Sequence, residues 1–147
     1  MLYKQLIAFV KLNLNFFLQN NFKLTYKLHP NEVPRWSERY SDLKLLYETK
    51  KIKVIGNELS INILIKKSEF VFGVNSTSIY ESLDAGCKIF ILDLQSSEYF
   101  DDLIADKVVK KIDPYKRINL NDLNFVPKKR QRFFNKSDIN KIKHICN

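Results

Sequence analysis

The chain has 147 residues, 45% of them hydrophobic and 28% charged, which is enough apolar material for one domain with a core of its own. Only 3 Gly and 4 Pro are present, which excludes collagen-like and linker-like classes, and 2 Cys, Cys87 and Cys146, are too few for a disulfide framework and too far apart for a zinc knuckle, so a cytoplasmic location is expected. The net charge of +9 sits at one end, because residues 1–106 carry 13 basic and 13 acidic side chains whereas residues 107–147 carry 12 basic and 3 acidic.

Leu2, Leu6, Val10, Leu14 and Phe17 recur at helical spacing and predict an amphipathic helix of about five turns. The apolar stretch Leu6 to Val10 is interrupted by Lys11, which makes it too short for a signal segment or a membrane span. Phe22 to Leu28 alternates and reads as a strand that stops at His29-Pro30, because proline has no N–H to continue a ladder. Val33-Pro34 opens a helix with Trp36, Tyr40, Leu43 and Tyr47 on one face. Lys51 to Ile55 reads as a short strand ending in the turn pair Gly56-Asn57, and Ser60 caps a helix carrying Ile61, Ile63, Leu64 and Ile65.

Glu69 to Val74 has the composition of a buried strand and is followed by the polar turn Asn75-Ser76-Thr77-Ser78. A short helix from Ile79 to Ala85 ends at Gly86, and Lys88 to Leu92 is a second buried strand. Ser96 or Ser97 caps a helix reaching Ile104, and Lys107 to Ile112 is a further strand. After Asp113-Pro114 the pattern weakens, with a last helix expected from Ser137 to about Ile145. Alternating short strands and helices predict an α/β fold, a Rossmann-like parallel sheet with helices on both faces, over residues 1–112, with a basic tail over residues 113–147. The chain opens on a helix rather than a strand, so an N-terminally truncated unit is expected.

Two polar clusters follow predicted strands directly: Lys27 to Glu32, and Gly73 to Glu81. In open α/β sheets ligands lie outside the carboxyl ends of the strands, so parallel pairing is expected to bring His29 and the Thr77-Ser78 turn to one edge. The second cluster also opens a helix, where free N–H groups and the dipole favour a phosphate, and His29 is a further donor. The plain alternative is structural: Ser78 and Glu81 form a capping box, and His29-Pro30 only ends a strand.

The His29-Pro30 pair after a strand bearing Lys27, and downstream Gly73-Val74-Asn75-Ser76-Thr77-Ser78-Ile79-Tyr80-Glu81 leading to Gly86-Cys87-Lys88-Ile89-Phe90-Ile91-Leu92, resemble the C-terminal half of bacterial capsule and surface-polysaccharide glycosyltransferases. The likeness is to the sialyltransferase and polysialyltransferase-like enzymes of the GT-B fold, with teichoic acid glycerophosphotransferases also similar, and it runs from about Leu24 to Ile112. The resemblance implies a nucleotide-activated sugar donor such as CMP-sialic acid, and no metal or other cofactor. By position it assigns the phosphate to His29 as the catalytic contact, with Pro30 shaping the loop and Ser76, Thr77 and Ser78 cradling the anion. Lys27 is then a phosphate neighbour and Glu81 a ribose contact. In such enzymes the acceptor site and the base lie on a separate N-terminal half, so a donor-binding module without autonomous activity is expected.

Two other readings stand beside it. The first is a non-enzymatic polyanion binder using Lys128-Lys129-Arg130-Gln131-Arg132-Phe133-Phe134, whose basic and aromatic residues suit an anionic membrane surface or single strands. The neutral body and the lack of a nucleic-acid motif argue against nucleic acid. The second is an inactive remnant of a longer transferase. Asp101-Asp102 reads as a solvated helical pair rather than as metal ligands.

Overall fold

A computed structural model describes residues 2–129; the expected helix at Ser137–Ile145 and the greater part of the basic tail lie outside the described residues. The fold is Rossmann-like α/β, with parallel strands in two small sheets flanked by helices. The chain divides into two compact units, the first formed by Met1–Ile61 with Asp113–Asn124, the second by Asn62–Ile112 with the segment from Phe125 onward.

In the first unit, α1 spans Leu2–Gln19, β1 Thr25–Lys27, α2 Trp36–Arg39, α3 Ser41–Glu48, β2 Lys53–Ile55 and α7 Leu120–Leu123. β1 and β2 pair in parallel, Thr25 opposite Lys53 and Lys27 opposite Ile55. Ile7, Leu14, Leu28, Leu43, Leu46, Ile52 and Val54 form its buried core. Of the stripe expected on α1 only Leu14 and Phe17 are buried; Ile7, Phe9 and Asn13 are the other buried residues, and Leu2, Leu6 and Val10 are half-buried.

The single helix expected after Val33-Pro34 is instead two helices. Tyr40 breaks it with φ −124° and ψ 72°, a conformation outside the helical region. The Tyr40 ring stacks on Tyr3 of α1 with centroids 3.8 Å apart, and this tertiary contact replaces a helical turn. Leu43 and Leu46, rather than Leu43 and Tyr47, are the buried residues of α3.

In the second unit, α4 spans Ile61–Lys66, β3 Phe70–Gly73, α5 Ser78–Asp84, β4 Lys88–Leu92, α6 Asp101–Ala105 and β5 Lys110–Ile112, with a 3-10 turn at Ser97–Phe100. The strand order is β3-β4-β5, all parallel, so β4 is central. Ile89, Phe90, Ile91 and Leu92 are fully buried, as their unbroken apolar run requires of a strand covered on both faces. Phe90 stacks on Phe72 at 5.1 Å and meets Phe125 edge-on at 6.3 Å. Of the apolar residues expected to line α4, only Ile65 is buried. Neither Ser96 nor Ser97 caps through its side chain; Ser96 adopts φ 74°, and the Ser97 hydroxyl donates to Asp93 Oδ1 at 3.4 Å.

One device joins helix to strand four times. Asn21, Lys50, Gly86 and Lys107 each take positive φ just past a helix end. The next residue then donates back into the last turn: Phe22 to the Phe17 carbonyl (2.9 Å), Lys51 to Leu46 (3.0 Å), Cys87 to Ser82 (3.0 Å) and Val108 to Leu103 (2.9 Å). These are Schellman ends, which satisfy orphan carbonyls and send the chain back toward the sheet.

Candidate functional site

Each polar cluster follows the carboxyl end of a parallel strand. In the second unit, Gly73 ends β3 opposite Ile91 of β4. A Cβ on Gly73 would lie 2.8 Å from Ile79 Cδ1, so the missing side chain is what lets α5 settle against β3. Val74 is buried, after which Asn75, Ser76 and Thr77 emerge into solvent.

The turn is organised by its own hydroxyls. Ser76 Oγ and Ser78 Oγ share a hydrogen bond of 2.7 Å, and the Ser78 N–H donates to Ser76 Oγ at 3.3 Å. The N–H groups of Ile79 and Tyr80 donate to the carbonyls of Ser76 and Thr77, both at 3.1 Å. Two expectations are corrected. The first helical N–H groups are already engaged within the turn, and one of the Ser76 and Ser78 hydroxyl protons is used in the bond between them. The Ser78/Glu81 capping box is also not formed: Thr77, at φ −61° and ψ −24°, occupies the cap position without a side-chain cap bond, and Ser78 is already helical. Glu81 is half-buried on α5.

Beside this edge lies a charged cluster that sequence reading did not find. Asp93 directly follows β4, and Lys111 Nζ lies 3.1 Å from its Oδ1 and 3.6 Å from Asp101 Oδ1. The hydrogen bond from Lys111 to Asp93 is the main cause that pushes the ammonium pKa above its ordinary range. The pair depends on β4–β5 pairing, which sets Ile91 opposite Lys111, and no local motif signals it.

In the first unit, His29 and Pro30 are exposed after β1. His29 Nδ1 accepts the Asn31 N–H at 3.1 Å, the His29 N–H donates to Glu32 Oε2 at 2.7 Å, and the Glu32 N–H donates to the His29 carbonyl at 2.8 Å. Because Nδ1 accepts, the neutral ring carries its proton on Nε2, as an outward donor. The loop thus orders itself while leaving the imidazole a donor for a ligand.

Lys27 has a structural use that was not foreseen. Its ammonium donates to the carbonyls of Gly56 (2.6 Å) and Leu28 (3.1 Å), tying the ends of β1 and β2 together. The Gly56 N–H donates to Glu58 Oε2 at 2.8 Å. Hydrogen bonds from the backbone N–H groups of Glu58 and Gly56 hold the Glu58 carboxyl below its usual range, and the charges of Lys27 and Lys53 act the same way. Burial raises the Tyr26 phenol, with the Glu32 carboxylate adding to the effect.

The structure therefore joins Ser76 to Ser78, orders His29 through Asn31 and Glu32, and commits Lys27 to two carbonyls; His29 belongs to the first unit and the hydroxyl turn to the second. Among the described residues no group of three or more His, Cys, Asp or Glu is placed to hold a metal ion. Among them, too, no helix is long and apolar enough to cross a membrane.

The chain is similar to the uncharacterized protein MJ1060 of Methanocaldococcus jannaschii, with 33% identity over 112 residues. The match covers 76% of this chain but only 19% of that protein. No family model matches the chain, and no solved structure matches it.

Proposed function

We propose that this chain is the donor-binding module of a sialyltransferase-like glycosyltransferase of surface-polysaccharide synthesis, taking a nucleotide-activated sugar such as CMP-sialic acid. The observation that carries the reading is the hydroxyl turn Ser76-Thr77-Ser78 at the carboxyl end of a parallel strand, exposed at Ser76 and Thr77 and half-buried at Ser78. Ligands of open parallel sheets bind at that edge. His29, exposed after β1 with its Nε2 proton free, supports the phosphate role that the family resemblance gives it.

In this reading, transfer breaks the bond between the anomeric carbon and a phosphate oxygen, and negative charge gathers on the departing phosphate. Preorganised hydroxyl donors of the turn stabilise that charge, and the family resemblance assigns His29 to the same phosphate. The acceptor site and the base belong to a separate half. Titration calorimetry on the full chain with CMP, UDP and CDP-glycerol tests the reading: saturable binding of CMP is expected, and a folded chain that binds none of the three would favour an inactive remnant.

A second feature of this proposal is work at the cytoplasmic face of a membrane. The Lys128 N–H donates to the Lys107 carbonyl at 2.9 Å, which joins the backbones of two exposed lysines, and Val126, two residues before Lys128, is 81% exposed. Basic residues next to an exposed apolar one suit an anionic lipid surface. Truncation before Lys128 should abolish binding to anionic vesicles. Equal retention of the intact chain on neutral vesicles would overturn the electrostatic attachment.

A further inference from the structure

Helix α1 is long enough to serve two faces. One of them packs Ile7 and Leu14 into the core of the first unit. Leu12, Asn15, Phe16 and Gln19, spaced three and four apart, share a different face. Alongside it runs the segment Arg117–Ile118, held by a hydrogen bond of 2.9 Å from the Ile118 N–H to the side-chain oxygen of Asn13. The Asn13 amide donates to the Phe9 carbonyl at 3.0 Å, so both ends of this buried carboxamide are used and its orientation is fixed. The helix face and the segment line an open groove of about 370 Å³, with Asn15, Gln19 and Arg117 exposed along it. That falls within the span of roughly 300–1,000 Å³ usual for small-molecule sites.

The lining has a definite chemistry. Leu12, Phe16 and Ile118 are apolar, Asn15 and Gln19 bring carboxamides, and Arg117 brings the one charge; no acidic residue lines the groove. Arg117 has no ion pair or hydrogen bond with any described residue, whereas the neighbouring Lys116 is paired with Asp113 at 3.3 Å. Arg117 is exposed at the edge of this groove, and its unpaired guanidinium is a ready partner for a carboxylate, whose two oxygens match its fork of N–H donors. A carboxylate also balances the single positive charge, which a phosphate dianion would exceed. The carboxamides both donate and accept, so they suit hydroxyl or amide substituents, and the apolar residues suit a carbon body.

We infer that this groove on α1 is a binding site for a small organic carboxylate, anchored by Arg117. The site is independent of the donor site proposed above, because none of its lining residues belongs to either polar cluster.

The test is a titration of the full, 15N-labelled chain with benzoate, benzamide and inorganic phosphate, following the side-chain NH2 signals of Asn15 and Gln19 and the Nε–H of Arg117. Benzoate should shift them saturably, and benzamide and phosphate should not. Arg117→Gln should weaken benzoate binding by about tenfold or more, the loss expected for one charge-assisted hydrogen bond, and leave the rest of the spectrum in place. Absence of saturable benzoate shifts, equal shifts with benzamide, tighter binding of phosphate, or indifference to Arg117→Gln would each overturn the assignment.

Discussion

The side-chain oxygen of Asn13 accepts the backbone N–H of Ile118 at 2.9 Å, a buried hydrogen bond between residues 105 positions apart in sequence. It lets one helix hold a segment that returns from the far side of the chain. Replacing Asn13 by Ala removes this bond and the one to Phe9 and leaves a buried N–H unsatisfied. Asn13→Ala should cost about 1–3 kcal/mol of unfolding free energy, read as a lowered urea midpoint at unchanged slope. A variant as stable as the parent would show that water replaces the carboxamide.

The Schellman ends predict stability changes of opposite sign. Lys50 and Lys107 occupy left-handed positions at φ 56° and 57°. A residue with a Cβ is disfavoured there and glycine is not. Both side chains are exposed, so Lys50→Gly and Lys107→Gly should each stabilise the fold by about 0.5–1 kcal/mol. At Gly86, φ 86°, a Cβ would meet nothing within 4 Å, so Gly86→Ala isolates the backbone term and should destabilise by about 1 kcal/mol. Thermal midpoints of the three variants check this, and a loss of stability in either lysine variant would contradict it.

These residues also show where sequence reading succeeds and where it stops. The apolar run at Lys88–Leu92 can only be a covered strand, and Gly86 before it marks a helix end; both are local signals, and both correspond to observed elements. Lysines at left-handed positions carry no such signal, because lysine is an ordinary helix former. The break at Tyr40 depends on Tyr3, some forty residues earlier, and so lies outside any local pattern. The reciprocal capping box of Asn119 and Asp122 opening α7 was written locally, yet the run it starts is only four residues, too short to show periodicity. For the candidate site, the placement of the hydroxyl turn after a parallel strand was legible from alternation, whereas the Lys111–Asp93 pair and the use of Lys27 needed strand pairing to be seen.

Glu58 predicts an acid limb of stability. Its carboxyl titrates below its ordinary range in the fold because backbone N–H groups, that of Gly56 among them, donate to the charged form. A carboxyl lowered by folding adds stability above its unfolded pKa, about 4.3 for glutamate, and loses it as pH falls through the lower folded value. The urea midpoint of the parent should therefore fall between pH 7 and pH 3 by more than that of Glu58→Gln. Equal falls would show that the bond to Gly56 contributes nothing to folding.

The hydroxyl turn can be tested both by removing a hydroxyl and by displacing the turn. Ser78→Ala and His29→Ala should each weaken CMP binding by roughly 1–3 kcal/mol, the loss of a hydrogen bond to a charged group. Such losses alone do not separate a direct contact from a disturbed loop, and Gly73 supplies the control. In Gly73→Ala the new methyl would approach Ile79 Cδ1 to 2.8 Å, and the next atom, Cγ1, stands at an ordinary 3.7 Å. Ile79 is buried, so where its Cδ1 finds no room to swing aside α5 shifts off β3 and carries Ser78 with it, at an overpacking cost of about 1–3 kcal/mol. Ile79→Val deletes Cδ1 and should make room. The double variant Gly73→Ala/Ile79→Val should thus regain CMP affinity that Gly73→Ala loses, while Ser78→Ala/Ile79→Val should not. If calorimetry shows Ser78→Ala binding CMP as well as the parent, the turn beside Ile79 is not where the nucleotide sits.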